Sequence, residues 1–197
     1  MAISAALVKE LREKSNAGMM DCKKALQETN GDLEKAFDAL RKRGLNIAAK
    51  KSSRATKEGI IGSYIHSNNK IGVLVEMGCE TDFVAKNVEF QELVKDLCLQ
   101  VASAAPQYLK RDEVPAEVIE REKEIYKDQV KGKPENIIDK IIEGKLDKFY
   151  KEICLTEQIF VKDDKKTITD VVNDAIAKLG ENMVIRRFVR YQVGEDA

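Results

Sequence analysis

The stretch "EGIIGSYIHSNNKIGVLVEMGC", residues 58–79, constrains this chain more than any other. Before it, apolar residues recur at helical spacing. Within it, the period drops to two. Ile60, Gly62, Tyr64 and His66 alternate with Ile61, Ser63 and Ile65, and Ile71, Val73, Val75, Met77 and Cys79 form the odd face of a second run. "SNNK" between the runs is turn chemistry, so the pair predicts a β-hairpin. "MVIRRFVRYQV", 183–193, predicts a third strand that closes the sheet. Both faces carry apolar groups, since Leu74 opposes Val73 and Val75, and Phe188 opposes Val189. Such a sheet needs a layer on each face. The chain's own helices supply one layer, and a second copy of the chain is a candidate for the other.

Around this hairpin the pattern is helical. Residues 4–43 predict three short helices. Ser4 caps the first, Asn30-Gly31 closes the second, and Asp32 caps the third, for which Gly44 is a natural stop. "NIAAKKSSRATKEG", 46–59, reads as a basic linker with room for a helical turn at its start, either a solvated tether or a contact strip. A long apolar stripe from Phe90 to Ala105 predicts a helix over 87–105. Residues 115–131 and 135–152 predict an antiparallel helical hairpin, with Gly132 ending its first arm and Pro134 starting its second. There Val118 and Ile125, Ile119 and Tyr126, Ile142 and Phe149, and Leu146 and Ile153 repeat every seven residues. A last helix is expected over 168–179. The fold class is therefore α+β. A three-helix module (1–45) and a basic linker (46–58) precede a core (59–197) of three-stranded antiparallel sheet packed with helices, including the hairpin 115–152.

Composition excludes several classes of function. The 197 residues carry 34 Lys+Arg and 34 Asp+Glu, so the formal charge is zero. A generic nucleic-acid or membrane binder would carry basic excess. No apolar run is long enough to span a bilayer, and "MAISAALVKELREK" turns charged too early for a secretory segment. Cys22, Cys79, Cys98 and Cys154 lack metal-ligand spacing, and His66 is the one histidine. Reduced cysteines in a cytoplasmic protein are expected, with no metal and no cofactor. No phosphate-binding loop, zinc-protease helix or nucleophile elbow occurs, so no enzyme is expected.

Three features rise above this background. In "AGMMDCKKAL", 17–26, Met19 shares a helix side with Cys22 and Leu26, while Met20 sides with Lys23, Lys24 and Gln27. Successive helix positions diverge by about 100°, so both methionines cannot point inward. Met20 either folds over the helix start or offers an adaptable partner contact. In "GCETDFVAKN", 78–87, Phe83 follows the strand but does not fit a hydrophobic staple for the next helix. It either tucks under the sheet or is displayed as an interface anchor, and Asp82 is an odd neighbour for a buried ring. The third feature is His66, at the end of the first strand.

"LREKSNAGMMDCKKALQETNGDLEKAFDALRKRG", continued by "AAKKSSRATKEG", resembles the N-terminal signature of the bacterial translation elongation factor Ts family, and "CETDFVAKN" resembles its second signature. The "GKP" hairpin and the "RRFVRYQVGE" ending also fit. Asn16 stands where the family usually has Gly. The resemblance covers nearly the whole chain and is to short members, which have one core subdomain and work as homodimers. It implies a UBA-like N-terminal module and a guanine-nucleotide exchange factor for elongation factor Tu. Carried over by motif, Arg12, Met19 and Met20 dock on the GTPase, with Lys23 and Lys51 as weaker candidates. His66 meets the partner on another side. Thr81, Asp82, Phe83 and Val84 form the intruding element, in which Asp82 and Phe83 push between two helices of the GTPase and disturb its magnesium site.

Two other readings compete. A protein-binding adaptor would act through the N-terminal module alone and leave Phe83 dispensable. A nucleic-acid binder would use the basic linker, which contains no aromatic platform.

Overall fold

The computed structural model describes residues 3–15, 17–130 and 134–195, so Asn16 and the expected helix end at Gly132 lie outside the described residues. The elements in chain order are α1 (Ala5–Ser15), α2 (Met19–Glu28), α3 (Leu33–Lys51), β1 (Glu58–Ile65), β2 (Ile71–Cys79), α4 (Asp82–Ala85), α5 (Val88–Ala104), α6 (Ala116–Gln129), α7 (Glu135–Ile153), β3 (Ile159–Phe160), β4 (Asp163–Thr167), α8 (Ile168–Leu179) and β5 (Met183–Gln192). They gather into two compact units. One comprises Met1–Gly62, Glu76–Val94 and Asp170–Arg186, and the other Ser63–Val75, Lys95–Thr169 and Arg187–Ala197.

In the first unit, α1, α2 and α3 close around Val8, Leu11, Cys22, Ala25, Leu26, Ala36 and Leu40. Their ends are set by the expected residues. The Ser4 hydroxyl accepts from Leu7 N at 3.2 Å, and the Asp32 carboxylate accepts from Lys35 N at 3.0 Å. Asn30 takes a left-handed φ of 54°. Gly31 N then donates to Leu26 O at 2.8 Å, and Asn30 N to Gln27 O at 3.4 Å. Together these bonds satisfy the Leu26 and Gln27 carbonyls in the last turn of α2.

Gly44 does not stop α3, which continues through it to Lys51. Residues 46–51, expected as linker with at most an opening helical turn, are helical and continuous with α3. The reason lies in packing. Gly44 is buried, and a Cβ there would sit 3.5 Å from Cβ of Ala177 on α8. Glycine brings the two helices close, and the Arg41–Asp170 ion pair at 3.1 Å joins the same elements.

The sheet has the strand order β1-β2-β5 and is antiparallel, as expected. Val73, Val75, Met77 and Cys79 on the central strand are at most 2% exposed. From α5, the Cys98 thiol lies against the Val75 backbone. Burial pushes the thiols of Cys98 and Cys154 up to about 11, and all four cysteines are free and buried. Gly59 holds a φ of 152°, and a Cβ there would lie 2.2 Å from Met77 O, so no other residue fits. The opposite sheet face leaves Ile61, Ile65, Leu74 and Val184 exposed.

In the second unit, α6 and α7 form the antiparallel hairpin. The Lys145 ammonium lies 5.1 Å from the Tyr126 ring centroid. Near the other end, Val114, Ile153 and Cys154 gather Val118, Ile119, Phe149 and Tyr150. Only part of the heptad pattern faces inward, because Ile125 is exposed. The sequence reading also missed a small second sheet, β3 against β4. It is tied to α5 by Gln100, a fully buried amide. Gln100 donates to Gln158 Oε1 and to Ile159 O, both at 3.1 Å, and accepts from Val161 N at 2.9 Å.

Because Gly44 lies mid-helix with room for one methyl, Gly44→Ala is expected to stabilise the protein by about 0.5–1 kcal/mol. Urea unfolding checks this, with Gly44→Leu expected to destabilise.

Candidate functional site

The site begins where β2 ends. Cys79 is the last buried residue of that strand, and burial pushes its thiol up. The thiol donates to Thr81 O at 3.1 Å. The chain then makes a single helical turn, α4. Thr81 is its N-cap, with its hydroxyl accepting from Val84 N at 3.4 Å. One turn has no stability of its own, so the surroundings must hold it. On the inside, Val84 and Ala85 are 9% and 6% exposed. At the start, the Glu181 carboxylate accepts from Glu80 N at 3.1 Å, Thr81 N at 3.0 Å and the Thr81 hydroxyl at 2.6 Å.

The four residues expected to act together are therefore not equivalent. Thr81 is an anchor and Val84 packs inward. Asp82 lies at the side of the turn, paired with the Lys86 ammonium at 2.7 Å. That hydrogen bond holds its carboxyl below the usual carboxylate range. Phe83 is 83% exposed, so it does not tuck under the sheet. Asn87 caps α5, its side chain accepting from Glu89 N at 2.8 Å. Val88, the first residue of α5, is also exposed. The turn thus shows an aromatic ring to solvent from a rigid base.

The other expected residues divide. Met19 and Met20 are 59% and 74% exposed at the start of α2. Met20 therefore does not fold over the helix start, and Met19 lies beyond the core despite sharing the side of Cys22. Lys23 is exposed one turn further on, and Arg12 is exposed on α1. Lys51 is half-buried, with its ammonium donating to Gly180 O just past the end of α8. His66 belongs to the second unit, where its Nδ1 lies 2.9 Å from the Tyr64 hydroxyl.

The sequence reading missed Glu80, Glu181 and Asn182. Glu80 Oε1 accepts from Asn182 N at 2.6 Å. The Asn182 amide, 3% exposed, donates to Arg54 O at 2.8 Å and Ser52 O at 3.4 Å. The signal available was the triplet "GEN", 180–182, between a helical and a strand pattern, but nothing local links it to residue 81. Among the described residues, no cluster of His, Cys, Asp and Glu is arranged to hold a metal, and no helix is long and apolar enough to cross a membrane.

A family model described as elongation factor TS matches residues 2–195. The chain belongs to the elongation factor Ts family. It is 61% identical over 197 residues to elongation factor Ts of Geobacter sulfurreducens, covering 99% of this chain and 91% of that protein. It is 60% identical over 195 residues to elongation factor Ts of Thermosipho melanesiensis, covering 98% of this chain and all of the relative. It is 57% identical over 195 residues to the Thermotoga maritima factor, covering 99% and 98%. Similarity to elongation factor Ts thus runs through the three-helix module, the displayed ring and the last strand alike.

The exposures predict opposite effects for two neighbours. Phe83→Ala should leave the stability of this elongation factor Ts family member within about 0.5 kcal/mol. Val84→Ala should cost about 1–3 kcal/mol through lost burial and a cavity. Denaturant midpoints for the two variants check the contrast.

Proposed function

We propose that the protein is a guanine-nucleotide exchange factor for elongation factor Tu, acting in the cytoplasm during protein synthesis. The observation that carries this reading is Phe83, a large apolar ring displayed from a braced turn with no core of its own to fill. The N-terminal module docks on the GTPase through Arg12, Met19, Met20 and Lys23. Two exposed methionines suit such a surface, because the thioether side chain adapts to its partner. Lys51 joins them if its ammonium leaves Gly180 O, and His66 meets the partner elsewhere.

Docking brings Asp82 and Phe83 between two helices of the GTPase. The displacement disturbs the GTPase's magnesium ion, which bridges the nucleotide phosphates to the protein. Weakening that bridge removes charge compensation and lets GDP leave. No bond is made or broken, so no catalytic side chains are required. The factor has only to prefer the GTPase conformation that holds nucleotide poorly. By linkage, nucleotide must weaken the factor's binding by the same ratio.

The exposed face of the three-stranded sheet supports a homodimer. Ile61, Ile65, Leu74 and Val184 are 40–65% exposed there, and a second copy would bury them. Sedimentation of the protein is expected to give a dimer, and Leu74→Lys a shift toward monomer. A purely monomeric wild type would remove this part of the reading.

Mixing the protein with elongation factor Tu loaded with fluorescent GDP tests the main reading by stopped flow. Phe83→Ala should slow accelerated release by about tenfold or more, equivalent to ~1.4 kcal/mol. Release at the wild-type rate would overturn the role of the ring.

A further inference from the structure

We infer that Glu181, distant in sequence from the displayed ring, is the positioning residue that aims it. This rests on the exchange reading above and adds a residue to it. The geometry comes first. Glu181 follows Gly180, whose φ of 79° turns the chain out of α8. Its carboxylate reaches across to the end of β2 and collects three donors. One oxygen accepts from both Glu80 N and Thr81 N, and the other accepts the Thr81 hydroxyl. The return bond runs from Asn182 N to Glu80 Oε1. Two adjacent residues on each side therefore clasp one another through both backbone and side chain.

The clasp determines the shape of α4. The Thr81 hydroxyl has one proton, and it is committed to Glu181 at 2.6 Å. Its lone pairs are then free to cap Val84 N. Without that bond the Thr81 side chain would be freer to leave its rotamer and carry the cap oxygen away from Val84 N. Ring direction follows from this turn, because Phe83 is its second residue and touches little else of the chain. A one-turn helix cannot hold that direction by its own hydrogen bonds.

The chemistry also explains why the residue is a carboxylate. All three groups facing it are donors, and an ionised carboxylate offers only acceptors. Glutamine is isosteric but brings an NH2. Placed toward the backbone, the NH2 would confront two N–H groups. Placed toward Thr81, it would donate to the hydroxyl, whose two lone pairs must then be shared between the amide and Val84 N. Glu181→Gln can keep the two backbone bonds only by reversing the third, which leaves the Thr81 proton without its partner.

The test separates aim from docking by measuring GDP release from elongation factor Tu across factor concentrations. Glu181→Gln is expected to lower the maximal release rate by about ten- to a hundredfold, the scale of an ångström-level misplacement. The concentration giving half the maximal rate should stay within about twofold, since α1 and α2 are untouched. Thr81→Val, which deletes the hydroxyl, should lower the maximal rate similarly, and Thr81→Ser should recover most of that loss. The double variant Glu181→Gln/Thr81→Val should be no slower than the slower single, because both act through one bond.

A wild-type maximal rate for folded Glu181→Gln overturns the inference, as does a defect confined to the half-saturating concentration. If circular dichroism shows Glu181→Gln unfolded, Thr81→Val decides, and a wild-type maximal rate for it overturns the inference. Phe83→Ala run alongside keeps the two failures apart. A fast Phe83→Ala removes the exchange reading itself, whereas a slow Phe83→Ala with a fast Glu181→Gln removes only the assignment of Glu181.

Discussion

The structure depends on the burial of one face of β2. Val73, Val75, Met77 and Cys79 lie almost wholly out of water, and side chains of that size each contribute roughly 1.5–3 kcal/mol by burial. This fixes register, because a slip by one residue would turn the whole set to solvent. The end of the strand is therefore a defined point in space. Everything that follows Cys79 inherits its position from that packing, and the clasp at Glu181 transmits it across one more turn.

A displayed phenylalanine is unfavourable to an isolated chain. Burying Phe83 instead would have gained about as much as any core residue. The chain forgoes that gain while burying its immediate neighbours Val84 and Ala85. The contrast within one helical turn is what distinguishes a presented ring from a poorly packed one. Scattered surface apolar groups are ordinary, but a ring held outward by capped and buried neighbours has a specified orientation.

Periodicity made much of this legible. The strands, the long helix α5, the hairpin arms and α8 each have a continuous apolar pattern, and Ser4, Asn30 and Asp32 mark the ends of α1, α2 and α3 with local hydrogen-bond chemistry. Gly44 misled for a physical reason. Its value lies in contact with Ala177 on another helix, which local sequence cannot display. The β3–β4 sheet escaped because its anchor is Gln100, a polar side chain on an apolar stripe whose partners lie 58 to 61 residues away. The site was legible in part. The family signatures pointed to Phe83, and its surroundings offered no local use for it. Exposure, the inward turn of Val84 and the Glu181 clasp required coordinates, because each depends on residues remote in the chain.

The continuation of α3 to Lys51 carries one more consequence. A flexible connector would let the N-terminal helices sample a wide volume, and each residue ordered on binding would cost about 1–2 kcal/mol of backbone entropy. A continuous helix seated against α8 has already met that cost during folding. On the exchange reading, an encounter at the methionines then delivers the aromatic wedge as the second event of an intramolecular pair, at a high effective concentration set by a stiff lever rather than by a diffusing tether.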